Sequence, residues 1–156
     1  MPSHIKKTHQ PRVGVGVVCL KPPGEVLLIR RGKAPRAGEW SIPGGGLEWG
    51  EALAVAALRE LLEETGVTAD MLGLIDVVDG LFDRDELGVA QTHYVLVDYA
   101  MLWLDGTPKA GDDAVEAVFV PLSELGDYDL WPETERIIRT AIARWPHAVR
   151  AEIDRH

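Results

Sequence analysis

The chain reads as a single mixed α/β domain with partly antiparallel strands. Three observations predict this. Short runs rich in Val, Ile, Leu, Tyr and Phe, bounded by Gly, Pro and Asp, recur on both sides of residue 50. Two such runs are joined only by the polar turn Asp83–Gly88, too short for the crossover that parallel neighbours need. Two further stretches, one ending near Thr65 and one opening at Pro132, carry apolar residues at helical spacing.

At 156 residues the chain fits one domain, 1–156, with residues 1–11 expected as a flexible N-terminal segment. A domain of this size buries roughly two-thirds of its unfolded surface, enough for a proper core. The 16 Lys and Arg against 25 Asp and Glu leave a net charge of −9. That excludes polymeric nucleic acid and an anionic membrane as main partners, since both demand a basic patch. A small phosphorylated substrate remains compatible if a bound cation reverses the local field. Cys19 is the only cysteine, so neither an internal disulfide nor a thiolate metal site can form, and a reducing cytosol is the expected compartment. Met1 to Arg12 has no apolar core and reads as neither signal peptide nor membrane anchor.

Residues 13–20 predict a strand buried on both faces, with Gly14 and Gly16 on one side, where a ligand or another backbone comes close or a helix packs tightly. Lys21-Pro22-Pro23-Gly24 turns the chain into a second strand over residues 25–31. Arg30, Arg31, Lys33 and Arg36 follow one another into a Gly/Pro loop. They are either phosphate-holding groups, arginine by paired bonds and lysine as a point charge, or solvated loop charges. Trp40-Ser41-Ile42-Pro43 then enters the glycines 44–46, with Trp40 expected in the core or as a wall.

A helix is predicted over residues 50–65, with Val55, Leu58, Leu61 and Leu62 as its apolar stripe. Gly66 stands where a left-handed cap belongs, with Val67 packing back on Leu62. On this helix Glu63 points about 60° to one side of Glu60 and Glu64 about 40° to the other, so three carboxylates share roughly 100° of arc. Such a cluster either spreads into solvent or is held by cations, and hard oxygen ligands on a rigid element suit Mg²⁺ or Mn²⁺.

Residues 72–82 and 89–104 predict the antiparallel pair, with His93 a lone strand histidine expected at the surface or in packing. The loop from Asp105 carries Asp112, Asp113 and Glu116 into a strand over residues 116–120, ended by Pro121. Pro132 suits the first turn of a last helix, whose apolar face is Ile137, Ile138, Ala141, Ile142 and Trp145. Trp131 either stacks on a nucleobase or pins that helix.

The string Gly45-x5-Glu51-x7-Arg59-Glu60-Leu61-x-Glu63-Glu64-x-Gly66-Val67 resembles, without mismatch, the signature box of the Nudix hydrolases. With each residue type used at around one in fifteen, a chance match to its seven Gly, Glu and Arg positions is on the order of 10⁻⁸ per starting point.

The resemblance implies an α/β/α sandwich with a mixed sheet, and hydrolysis of a nucleoside diphosphate linked to another moiety, using Mg²⁺ or Mn²⁺ and water. It implies Glu60, Glu63, Glu64 and the Gly45 carbonyl as metal ligands, Glu51 paired with Arg59, and Glu60, Glu63 or Glu116 as the proton acceptor. Arg30, Arg31 and Trp131 are the expected substrate contacts, and a homodimer is the family's frequent state. The segments around Asp112 and Pro121-Leu122-Ser123-Glu124-Leu125 look like the ADP-ribose pyrophosphatase branch. The competing readings are a MutT-like nucleoside triphosphate pyrophosphohydrolase, a noncatalytic nucleotide sensor, and an isomerase of prenyl diphosphates that would need a reactive cysteine.

Overall fold

Strand β1 (Arg12–Lys21) lies at the centre, and its apolar run is buried from Val15 to Leu20 because both faces are covered. The computed structural model describes residues 9–150, so the expected flexible segment lies outside the described residues except for 9–11. After β1 come β2 (Glu25–Arg31), β3 (Trp40–Ser41), β4 (Gly44–Gly46) and helix α1 (Leu53–Thr65). Strands β5 (Thr68–Arg84), β6 (Ala90–Asp105) and β7 (Ala114–Pro121) follow, then helix α2 (Pro132–Arg144), with 3-10 turns at Leu122–Tyr128 and Pro146–Ala148.

The sheet is mixed. Its main path runs β3-β2-β1-β6-β5, with β4 added on β1 and β7 on β2. Among the described residues only β1 and β6 run parallel; β5 and β6 form the antiparallel pair expected across Asp83–Gly88. Side chains alternate along β1, so Val15, Val17 and Cys19 pack towards α1 with Ala56, Ala57 and Leu61, while Val18 and Leu20 pack towards α2 with Ile137, Ile138 and Ala141. A helix on each face makes the α/β/α sandwich.

Helix α2 meets the sheet through the face predicted for it, Ile142 and Trp145 flanking the buried Ile137, Ile138 and Ala141. Helix α1 does not. Val55, Leu58 and Leu62 are 57%, 39% and 53% exposed, and the buried side is Ala56, Ala57, Glu60, Leu61 and Glu64. Small alanines let the helix lie close to the sheet, and the larger apolar residues take the outer surface. Gly66 does cap α1 in the left-handed conformation, φ 72°, its N–H donating to the Leu62 carbonyl. Val67 then packs in the buried cluster with Leu61. The glycines expected as a loop pair with β1 in register, Gly14 with Gly46, Val15 with Gly45 and Gly16 with Gly44. Among the described residues no helix is long and apolar enough to cross a membrane.

Candidate active site

Arg59 organises the outer end of α1. Its guanidinium donates to Glu51 at 2.6 and 2.8 Å, to Glu60 at 2.8 Å, to both Glu63 oxygens at 3.3 Å and to the Gly46 carbonyl at 3.1 Å. The expected Glu51–Arg59 tie between loop and helix is therefore present. Arg59 holds Glu51 below the usual carboxylate range. Burial pushes Glu60 up, and the hydrogen bond from Arg59 opposes it.

The other end of the site comes from the loop between β6 and β7. The last carbonyls of a helix lack partners within it. Here Lys109 N–H donates to the Thr65 carbonyl and Gly111 N–H to that of Glu64, each at 2.9 Å. Those two bonds dock the loop on the end of α1. Asp112, with φ 50°, is thereby set beside the helix, and one oxygen each of Glu60, Glu63 and Asp112 lie within 4.8 Å of one another. Three hard oxygens in that span fit a small divalent cation.

Glu64 is buried and stands apart from that trio. Its carboxylate accepts a 2.7 Å bond from the Gly44 N–H, and burial pushes it up to about 7. Gly45 faces the Glu60 carboxylate, into which a Cβ there would run. The glycines of β4 are what allow α1's acids to meet the sheet edge.

A cavity of about 300 Å³ opens from Glu60, Glu64 and Gly45 across the sheet to Phe82, Asp98 and Trp131. Arg31, Lys33 and Arg36 line it, as does Trp131, so these residues stand where phosphate and an aromatic ring can be received. The Arg36 guanidinium sits 5.5 Å from the Trp131 ring centre, and Trp131 meets Phe82 edge-on at 5.1 Å.

Two expected site residues lie elsewhere. Arg30 and Glu116 are cross-strand partners on β2 and β7, joined at 2.6 Å, and neither lines the cavity. Strand alternation, disturbed by a register shift between Arg30 and Arg31, sends only Arg31 inward. Asp112, not Glu116, is the loop carboxylate that stands beside Glu60 and Glu63. Phe82 and Asp98 are further cavity residues that sequence reasoning missed; for Asp98, the one signal was its charge inside an apolar strand run. His93 is exposed as expected. Cys19 is fully buried, its thiol pushed up to about 12, which removes the reactive cysteine an isomerase would need.

The family model described as the NUDIX domain matches residues 10–141. The chain belongs to the Nudix family. It is 38% identical over 101 residues to the ADP-ribose pyrophosphatase of Methanocaldococcus jannaschii, covering 65% of this chain and 57% of that protein's length. Its fold superposes on a MutT NUDIX hydrolase from Burkholderia pseudomallei with a TM-score of 0.72 at 30% identity, over 85% of this chain and 98% of the other. It also superposes on the NUDIX domain of Shewanella oneidensis NrtR complexed with ADP ribose, with a TM-score of 0.73 at 24% identity, over 92% of each chain. In this Nudix chain Gly45, Glu60 and Glu64 of the box line the cavity, and among the described residues the group of Glu60, Glu63 and Asp112 is the one cluster of three acidic side chains close enough to hold an ion.

Proposed function

We propose that this chain is a metal-dependent Nudix pyrophosphohydrolase that splits the diphosphate of ADP-ribose into AMP and ribose 5-phosphate, in the cytosol that a single buried cysteine suits. The convergence of Glu60, Glu63 and Asp112 beside Gly45, at the mouth of a cavity with basic and aromatic walls, carries the reading. The similarity to the archaeal ADP-ribose pyrophosphatase supports the choice of substrate.

A diphosphate is protected by its own charge, which repels a nucleophile and makes the departing phosphate poor. Bound Mg²⁺ or Mn²⁺ would neutralise the nonbridging oxygens, acidify a water and steady the leaving group. Glu60, Glu63, Asp112 and the Gly45 carbonyl would hold the cation, with Glu64 beside them at the sheet edge. Glu60, which lines the cavity and is raised by burial, takes the proton from the attacking water. Arg59 positions Glu60 and Glu63, while Arg31 and Lys33 receive phosphate oxygens. No nucleophilic side chain is required.

A second reading, a MutT-like nucleoside triphosphate pyrophosphohydrolase, is favoured by the 30% identity to the Burkholderia protein over nearly its whole length. The two share the chemistry and differ in the group beyond the diphosphate. Product identification on ADP-ribose and on nucleoside triphosphates, with a chelator control, separates them. Glu63→Gln and Glu64→Gln each abolish metal-dependent turnover while circular dichroism and melting stay close to wild type. Full turnover in Glu63→Gln refutes the ligand assignment, and full turnover in Glu64→Gln refutes any part for the sheet-edge carboxylate in turnover.

A further inference from the structure

Asp98 is a charged residue type in a place the proposed chemistry leaves idle. It sits on β6 opposite Gly16 of β1, is only 6% exposed, and lines the same cavity as Glu60 and Glu64. Among the described residues none donates a hydrogen bond to its carboxyl group, and no fully buried side-chain oxygen lacks a partner, so the carboxyl keeps some access to the cavity that Asp98 lines. A buried polar group without a partner is expensive unless something arrives to pair with it. The space is made for it: a Cβ at Gly16 would collide with Oδ1 of Asp98. The aromatic walls, Phe82 and Trp131, offer flat faces on the same side of the sheet.

We propose that Asp98 reads the nucleobase of the bound nucleotide, pairing edge-on with adenine in preference to guanine. This rests on the reading of the cavity as a nucleotide site. The reason is the donor and acceptor pattern. A neutral carboxyl offers one O–H and one carbonyl oxygen side by side. Adenine presents their complement, a ring nitrogen that accepts and an exocyclic amino group that donates. Guanine presents two donors on that edge, which suit an ionised carboxylate instead.

The surroundings favour the neutral form. Burial pushes Asp98 up to about 7, with Asp76 of β5 and Glu133 of α2 adding to the effect. Arg136 of α2 opposes them, but it is already bonded to Glu133 at 2.9 Å and Asp76 at 3.1 Å. Gly16 of β1 and Ile42, the other neighbours of the carboxyl, bring no charge.

The test is calorimetric binding of AMP, GMP and ribose 5-phosphate, none of which has a diphosphate to cleave, to the full chain in saturating Mg²⁺, at pH 6 and pH 8.5. AMP is expected to bind at least about tenfold more tightly than GMP at pH 6, with the gap narrowing at pH 8.5. Asp98→Ala weakens AMP about tenfold and leaves ribose 5-phosphate unchanged. Asp98→Asn, whose amide keeps one donor and one acceptor, retains the adenine preference and loses its pH dependence. Should the alanine variant not fold, the asparagine variant decides alone. The proposal is overturned if AMP does not bind, if GMP binds better at pH 6, if Asp98→Ala binds AMP like wild type, or if Asp98→Asn titrates as wild type does. Cleavage is not read in this assay. Asp98-dependent AMP binding in a chain that never cleaves ADP-ribose would remove the proposed activity alone, and efficient cleavage with an indifferent Asp98 would remove only this inference.

Discussion

Asp98 also leaves a mark on stability, apart from any ligand. Its folded form holds a proton up to about 7, whereas the unfolded chain releases it near 4. Between those values the folded state binds more protons, so the contribution of this group is most favourable below about pH 4 and is lost as pH rises through 7. A gap of roughly three decades at about 1.4 kcal/mol each sets a ceiling near 4 kcal/mol. Asp98→Asn removes that penalty. Urea unfolding should show the variant close to wild type at pH 4 and more stable by about 1 to 4 kcal/mol at pH 8. Glu64 titrates in the same direction in both proteins and drops out of the difference. A gain that does not grow with pH would refute a raised Asp98. Single residues were the hardest part to read from sequence. Helical spacing puts Glu60 and Glu63 on one arc, but Asp112 reaches them through a left-handed backbone and two loop-to-helix bonds that no periodicity encodes.

Helix α1 shows the same limit one level up. Its existence, its end at Thr65 and its glycine cap were legible, because spacing and cap chemistry are local. Its buried face was not. Size suggested Val55, Leu58 and Leu62; the sheet instead takes Ala56 and Ala57, since a helix that must deliver Glu60 and Glu64 to the glycines of β4 has to lie close. The two readings of the helix give opposite mutational outcomes. Ala57→Leu forces side chains and backbone apart in a filled layer and should cost about 1 to 3 kcal/mol. Leu62→Lys, on the outer surface, should change stability by no more than about 0.5 kcal/mol. Denaturant midpoints measure both, and a costly Leu62→Lys with a harmless Ala57→Leu would restore the stripe expected from sequence. The strands fared better, since β1's uninterrupted apolar run could only belong to a centre covered on both sides.

For the whole molecule the governing quantity is a charge of −9 on a chain whose proposed substrate is itself an anion. Arg31, Lys33 and Arg36 line the cavity, yet Lys33 is paired with Asp113 at 2.8 Å and Arg36 with Glu39. The acids at the mouth therefore need a cation before a diphosphate can settle against them. Anything that binds the folded state alone raises its stability by mass action, by about 2.7 kcal/mol at a hundred times its dissociation constant. At roughly 2 to 4 °C per kcal/mol for a domain of this size, saturating Mg²⁺ or Mn²⁺ should lift the Tm by about 5 to 11 °C over the chelated protein. General screening of an acidic surface would also stabilise, but NaCl at matched ionic strength would then do the same. Bound cation predicts that it does not, and that Glu60→Gln and Glu63→Gln each shrink the divalent shift while leaving the NaCl response alone. Equal shifts in the two salts, or divalent shifts indifferent to both glutamates, would mean that the cluster is only a crowded surface.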